Sequence, residues 1–390
     1  MAEPPFHIFS TYAKDTKQVF YVCHGSTHTG GQLIHRDTMK SLRKVSPQTG
    51  LELQEALTPT PEKGEVLIAV QATGVCGTDL HIDQWTPSYH FMAPTLPVTI
   101  GHEFSGVVAA KGEGVESLDV GQRVTVRPSV TCGICEACQS GRHDDCLSRR
   151  GVGVGRDGAF ASHVCVPARN CVPVPQHLDP AVAALAEPLT VSWEAVRIGD
   201  IRPGDRVLVL GPGNIGQGIA LFARERGARY ICVAGHNDQP RLQVLRQLGF
   251  DNVLDFAEQP IEEALARECE DGAFDVVIEA TGAGTVIKPA LQALKVRGVL
   301  VIAGIHANPV PLDLTSLVRK HQQVRGSYRA PESAWPQVVE FMGRNEALLR
   351  HMVTHTVPLS QAVQGFELAR NKTATKVMVI PDEASEAVSP

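Results

Sequence analysis

Cys132, Cys135, Cys138 and Cys146 form a C-x2-C-x2-C-x7-C run, four thiolates on one short tether. Soft sulfur ligands at that spacing suit tetrahedral zinc, which closes such loops without a geometric demand of its own. A ferredoxin-type cluster begins with the same three cysteines. It would need a second run and a Cys-Pro three residues on, and neither is present. Two further segments carry metal-ligand types: Cys76-Gly77-Thr78-Asp79-Leu80-His81 and Gly101-His102-Glu103, with Glu187-Pro188 later in the chain. A reactive zinc takes about three protein ligands and keeps one position open. Cys76, His102 and a carboxylate from Glu103 or Glu187 would meet that need. Each residue taken singly has a bland reading: a buried thiol, a core histidine, a surface carboxylate. Their joint occurrence beside a nucleotide motif outweighs it.

That motif is Gly211-Pro212-Gly213-Asn214-Ile215-Gly216, between an apolar run Arg206–Leu210 and a helical stretch. Strand before and helix after is the context a dinucleotide fingerprint requires. Gly211 allows the tight turn, Gly213 lets backbone amides approach a pyrophosphate, and Gly216 packs helix on sheet. The helix N-terminus at Asn214 and Ile215 adds partial positive charge. The next strand usually ends in a carboxylate that binds the adenine ribose. Here that place falls at Gly235, so repulsion against a 2′-phosphate is missing; His236 and Arg241 are placed to reach such a phosphate, and Asp238 to swing back to a ribose hydroxyl. This leans toward NADP and leaves NAD open.

The elements that must carry these groups divide the chain. Residues 1–38 mix His24, His28 and His35 with Lys and Gly, without a sustained apolar period, and are expected to be a disordered extension. From Met39 to about residue 190 short strands alternate with turns, among them Glu65–Val70, Phe104–Ala109, Arg123–Val126 and Phe160–Val166. Residues 132–146 form a lobe within this part. Over residues 191–330 strands and helices alternate, which means a parallel sheet covered on both faces. Residues 331–381 are expected to return to the first part, and 382–390 to form a polar tail.

The chain has 390 residues, 43% hydrophobic and 20% charged, with a net charge of -6. That is ample for two cores and gives no electrostatic footprint for nucleic acid or an anionic membrane. No apolar run reaches bilayer length. Ten cysteines without a secretory signal, four of them in metal spacing, point to a reducing compartment, the cytoplasm. Trp85, Tyr89, Phe91 and Met92 are read as pocket lining, core or an interface. Arg329 is read as a surface arginine. The segment Val299–Ile305 is read as an exposed sheet edge that would favour self-association.

Taken together, these motifs make Met39 to about Ile380 resemble a zinc-dependent medium-chain dehydrogenase/reductase of the sorbitol (polyol) and threonine dehydrogenase branch. The resemblance implies an α/β fold: a GroES-like β-barrel catalytic domain plus a doubly wound parallel-sheet Rossmann domain. It implies two zinc ions per chain. Cys76, His102, Glu103 and Glu187 would serve the catalytic ion, and Cys132, Cys135, Cys138 and Cys146 the structural one. Thr78 and His81 would relay the substrate proton, and Asp79 would orient His102. It further implies hydride transfer between an alcohol or ketone substrate and NAD or NADP, in a homodimer or homotetramer. Rival readings are a catalytically silent nucleotide-binding protein and a zinc-free quinone or enone reductase on the same fold.

Overall fold

The computed structural model describes residues 37–382, so the expectations for the N-terminal histidines and for the tail beyond residue 382 lie outside the described residues. The chain enters through β1 (Thr38–Lys44), paired antiparallel with β2 (Glu52–Leu57). β3 (Glu65–Gly74) alternates buried and half-buried side chains, the signature of a strand with one face on a core. It leads into α1 (Gly77–Gln84), which carries Thr78, Asp79 and His81. β4 (Val98–Thr99) returns to β1, and β5 (Glu103–Lys111) and β6 (Arg123–Val126) continue the sheet of β3.

The cysteine lobe is an excursion between the two-residue strands β7 (Ser129–Val130) and β8 (Arg150–Gly151), with one short helix, α2 (Glu136–Gln139). β9 (His163–Pro167) and β10 (Cys171–Pro173) then pair with β3 and β6. β9 starts later than the run Phe160–Val166 suggested. Phe160 instead spends its backbone elsewhere, donating to Ile100 and accepting from Leu42, while its ring is fully buried.

After α3 (Pro180–Ala183) comes α4 (Ala186–Gly199), whose first turn holds Glu187 and Pro188. Proline is tolerated there because first-turn amides have no intrahelical partner. The next region interleaves β11 (Arg206–Leu210), α5 (Asn214–Glu225), β12 (Tyr230–Gly235), α6 (Gln239–Gln247), β13 (Val253–Asp255) and α7 (Ile261–Glu268). It continues with β14 (Phe274–Glu279), α8 (Ile287–Ala293), β15 (Leu294–Ile302), α9 (Leu314–Arg319) and β16 (Gln323–Gly326). All six strands are parallel, in the order β13-β12-β11-β14-β15-β16. β11 is buried along its whole length, as a strand with helices on both faces must be. The order reverses between β11 and β14, which is where open α/β sheets bind ligands.

The expected free edge at Val299–Ile305 is not an edge. β15 pairs with β14 on one side and β16 on the other, and β16 is the outer strand. Sequence periodicity marks a strand but not its neighbours. The remaining elements are α10 (Ala334–Arg344), α11 (Glu346–Leu349), β17 (Val353–Pro358), α12 (Ala362–Arg370) and β18 (Lys376–Ile380). β18 pairs antiparallel with β3. One buried cluster runs from Ala72 and Val182 through Val209 and Ile219 to Trp335 and Met378, so both sheets share packing. Among the described residues no helix is long and apolar enough to cross a membrane.

Candidate active site and metal centres

Cys76 is the N-cap of α1, and Asp79 stands at its third helical position. One Asp79 oxygen accepts the Cys76 amide at 2.9 Å, half of a capping box that turns the chain into the helix. The other oxygen lies 3.5 Å from His102 Nδ1. Asp79 is fully buried, so one carboxylate both caps the helix and faces the imidazole. A carboxylate behind a histidine sets its tautomer and leaves the other ring nitrogen to a metal.

His102 and Glu103 arrive at the start of β5, directly across from β3. Donor atoms of Cys76, His102 and Glu103 lie within 4.8 Å of one another. Sulfur, imidazole and carboxylate together fit a zinc ion. Room for the Glu103 side chain depends on Gly74: a Cβ there would stand 2.6 Å from Glu103 Oε2.

Glu187 is outside that tight trio. It sits at the first turn of α4, close enough to interact with His102, Glu103 and Lys376. Burial pushes its carboxyl up to about 7, with His102 opposing and Glu103 adding to the shift.

Lys376 is the residue the sequence did not announce. It opens β18, is 4% exposed, and donates to Glu103 Oε2 at 2.6 Å and to the Val75 carbonyl at 3.0 Å. Nothing in Lys376-Val-Met-Val-Ile separates it from a surface lysine at a strand start. Only the pairing of β18 with β3 brings it behind Glu103.

The neighbours of His81 differ in role. Tyr89 O–H donates to Thr78 Oγ1 at 3.0 Å, and burial raises the Tyr89 phenol above its usual range. His81 Nδ1 lies 3.3 Å from Thr86 Oγ1. Met92 is fully buried in a core shared with Ile82 and Phe366, whereas Phe91 is exposed. Trp85 is half-buried beneath the Lys44 ammonium. Arg329 is half-buried, with its guanidinium over the Tyr328 ring.

In the lobe, the Sγ atoms of Cys132, Cys135, Cys138 and Cys146 also fall within 4.8 Å of one another. Cys132 is 3.9 Å from Cys138 and 3.7 Å from Cys146, sulfur to sulfur. A tetrahedron with Zn–S bonds of about 2.3 Å has edges of about 3.8 Å. All four are free thiols, so the cluster is not a pair of disulfides and its geometry could hold a metal ion. Amides of Ile134 and Cys135 pull Cys132 down to about 6, which favours the thiolate a metal needs.

At the nucleotide loop, Gly211 has φ +110 and Gly213 caps α5. A Cβ on Gly216 would stand 1.8 Å from the Gly211 carbonyl, so the turn closes only on glycine. Both polar atoms of the Asn214 amide are buried without a partner. Gln217 Nε2 donates to Pro212 O and to Thr375 Oγ1, tying the loop to the residue before Lys376.

Gly235 ends β12 against Pro212. His236 is exposed and stacks on Phe256. Arg241 is bound to Asp238 by two hydrogen bonds, and Asp238 is 2% exposed. Asp238 therefore cannot swing to a ribose, and Arg241 spends much of its charge on it. Asp255 is likewise engaged, accepting from three backbone amides and Gln239.

The chain is similar to proteins of known family. Residues 62–176 match the alcohol dehydrogenase GroES-like domain, and residues 214–344 match the zinc-binding dehydrogenase family. An L-threonine 3-dehydrogenase from Saccharopolyspora erythraea is 34% identical over 344 residues, 87% of this chain and 98% of that protein. A sorbitol dehydrogenase from Halalkalibacterium halodurans is 33% identical over 88% of this chain and 99% of that protein. The crystal structure of 2R,3R-butanediol dehydrogenase from Bacillus subtilis superposes with a TM-score of 0.79 at 28% identity, covering 88% of this chain and 100% of that one. With relatives of that identity matched over nearly their whole length, the chain belongs to the zinc-dependent medium-chain dehydrogenases of the alcohol dehydrogenase superfamily.

Proposed function

We propose that this protein oxidises a secondary hydroxyl flanked by polar carbons, as in a polyol or hydroxy amino acid, and reduces NAD or NADP. The observation that carries the reading is the convergence of Cys76, His102 and Glu103 donor atoms within 4.8 Å. Those three would hold the catalytic zinc, with Glu187 near enough to exchange at it. Cys132, Cys135, Cys138 and Cys146 would hold a structural zinc. When bound, zinc supplies Lewis acidity and the nicotinamide supplies the hydride acceptor.

The chain's own residues do the rest. Asp79 orients His102, and Lys376 holds Glu103. Thr78 accepts the substrate proton, and His81 releases it to solvent, an imidazole being able both to take up and to give a proton. The backbone from Gly211 to Gly216 receives the pyrophosphate at the start of α5. With Asp238 and Asp255 both engaged, the exposed His236 and the Arg241 edge beside Gly213 are side chains offered to a 2′-phosphate, so NADP is accepted. A silent protein would have no use for an intact relay, and a zinc-free reductase no use for three converging donors.

The outer strand β16 and its surroundings expose Val296, Leu314, Val318, Val324 and Tyr328, which supports pairing with a second copy. Nine free cysteines among the described residues support a reducing compartment such as the cytoplasm.

A panel of alcohols and ketones run with NAD and with NADP, alongside zinc analysis, tests the proposal. Two zinc ions per chain and alcohol-dependent nicotinamide reduction are expected. Cys76→Ser should keep one zinc and lose turnover. A fully metal-loaded protein inactive on every alcohol would overturn the reading.

A further inference from the structure

The segment Pro87–Thr95, which follows α1, holds both side chains assigned to proton transfer. Tyr89 donates to Thr78 Oγ1 at 3.0 Å. Its ring also stacks on His81, with centroids 6.0 Å apart and planes inclined by 16°. Thr86 lies 3.3 Å from His81 Nδ1. The segment is itself anchored. Met92 is fully buried, and the Thr95 hydroxyl donates to its carbonyl at 2.7 Å. Tyr89 is thus presented from a fixed turn and not from a loose loop.

A threonine hydroxyl has one proton and two acceptor lone pairs, and left alone it rotates. The Tyr89 O–H fills one lone pair. One lone pair then remains for the substrate proton, and Thr78's own proton must point toward the next carrier. In the forward step the substrate O–H bond breaks as a new O–H forms on Thr78. The original Thr78 proton leaves toward His81, and Tyr89 keeps its proton throughout.

We propose that Tyr89 is a positioning residue of the proton relay, fixing the direction of the Thr78 hydroxyl while its ring holds the His81 imidazole. This rests on the reading of Thr78 and His81 as proton carriers. Removing one such hydrogen bond leaves Thr78 free to point either way and costs about tenfold in rate.

The zinc-loaded, full-length enzyme is compared as wild type, Tyr89→Phe, Thr78→Val and the double variant, with an alcohol it turns over. Tyr89→Phe keeps the ring and its stacking. It should lower kcat about tenfold, leave the alcohol KM and the nucleotide Kd nearly unchanged, and raise the solvent deuterium isotope effect on kcat. In the Thr78→Val background it should have no further effect, since the hydroxyl it orients is gone. A Tyr89→Phe enzyme indistinguishable from wild type overturns the inference, as does an effect that simply multiplies with that of Thr78→Val. If Thr78→Val itself leaves turnover intact, the relay reading falls first.

Discussion

Glu103 and Lys376 form a buried ion pair directly behind the proposed zinc, with Nζ 2.6 Å from Oε2. Taking two charges out of water is costly, and such a pair holds only while both members are present. In the zinc-free protein, Lys376→Met should therefore leave Glu103 buried without its cation, at a cost of about 3–5 kcal/mol. Urea unfolding of the two proteins checks this. A loss near zero would mean that the Glu103–Lys376 pair does not stabilise the fold. The residue scale is also where local reading was weakest. Cys76, Asp79 and His81 belong to one short motif and were read together. Lys376 stands 273 positions from its partner and had no local mark.

At the scale of elements, the N-terminus of α6 depends on Asp255 at the end of β13. Asp255 accepts from the Asn237, Asp238 and Ala257 amides and from Gln239. Burial works against its charge, but those donors outweigh it and hold the carboxyl below the usual aspartate range. A group depressed in the folded state stabilises above its unfolded pKa and loses that contribution as pH falls through the folded one. Asp255→Asn should cost about 1–3 kcal/mol at pH 7, and the gap to wild type should close as pH falls below about 4. Thermal melts of both proteins across that range would show it. A gap independent of pH would exclude the charge as the cause. The elements themselves were largely legible. β11 and β6 have the bounds their apolar runs suggested, and α5 starts at the glycine loop. β13, only three half-buried residues, carries too little pattern to announce itself.

At the scale of the whole molecule, the two sheets are joined through consecutive residues. Thr375 accepts from Gln217 at the nucleotide loop, and Lys376 reaches Glu103 at the metal side. The opposite flank of the Rossmann sheet ends in β16, with apolar side chains exposed on it and on α9. Light scattering should give wild type a mass of at least two chains. Val318→Asp combined with Val324→Lys should shift it to the mass of one chain. A wild-type monomer would refute self-association through this edge.

The residue order alone determined whatever depends on near neighbours: the close spacing of four cysteines within one excursion and the glycine turn ahead of α5. Closing a short loop and forming a turn are short-range events, so spacing is enough to specify them. Folding decided the long-range matters. It placed β15 inside the sheet and left β16 at its rim, because strand order depends on crossovers that periodicity does not encode. It closed Arg241 onto Asp238, and it carried Lys376 to Glu103 by pairing β18 with β3. Such contacts arise from which surfaces bury each other, and no single stretch of chain holds that information.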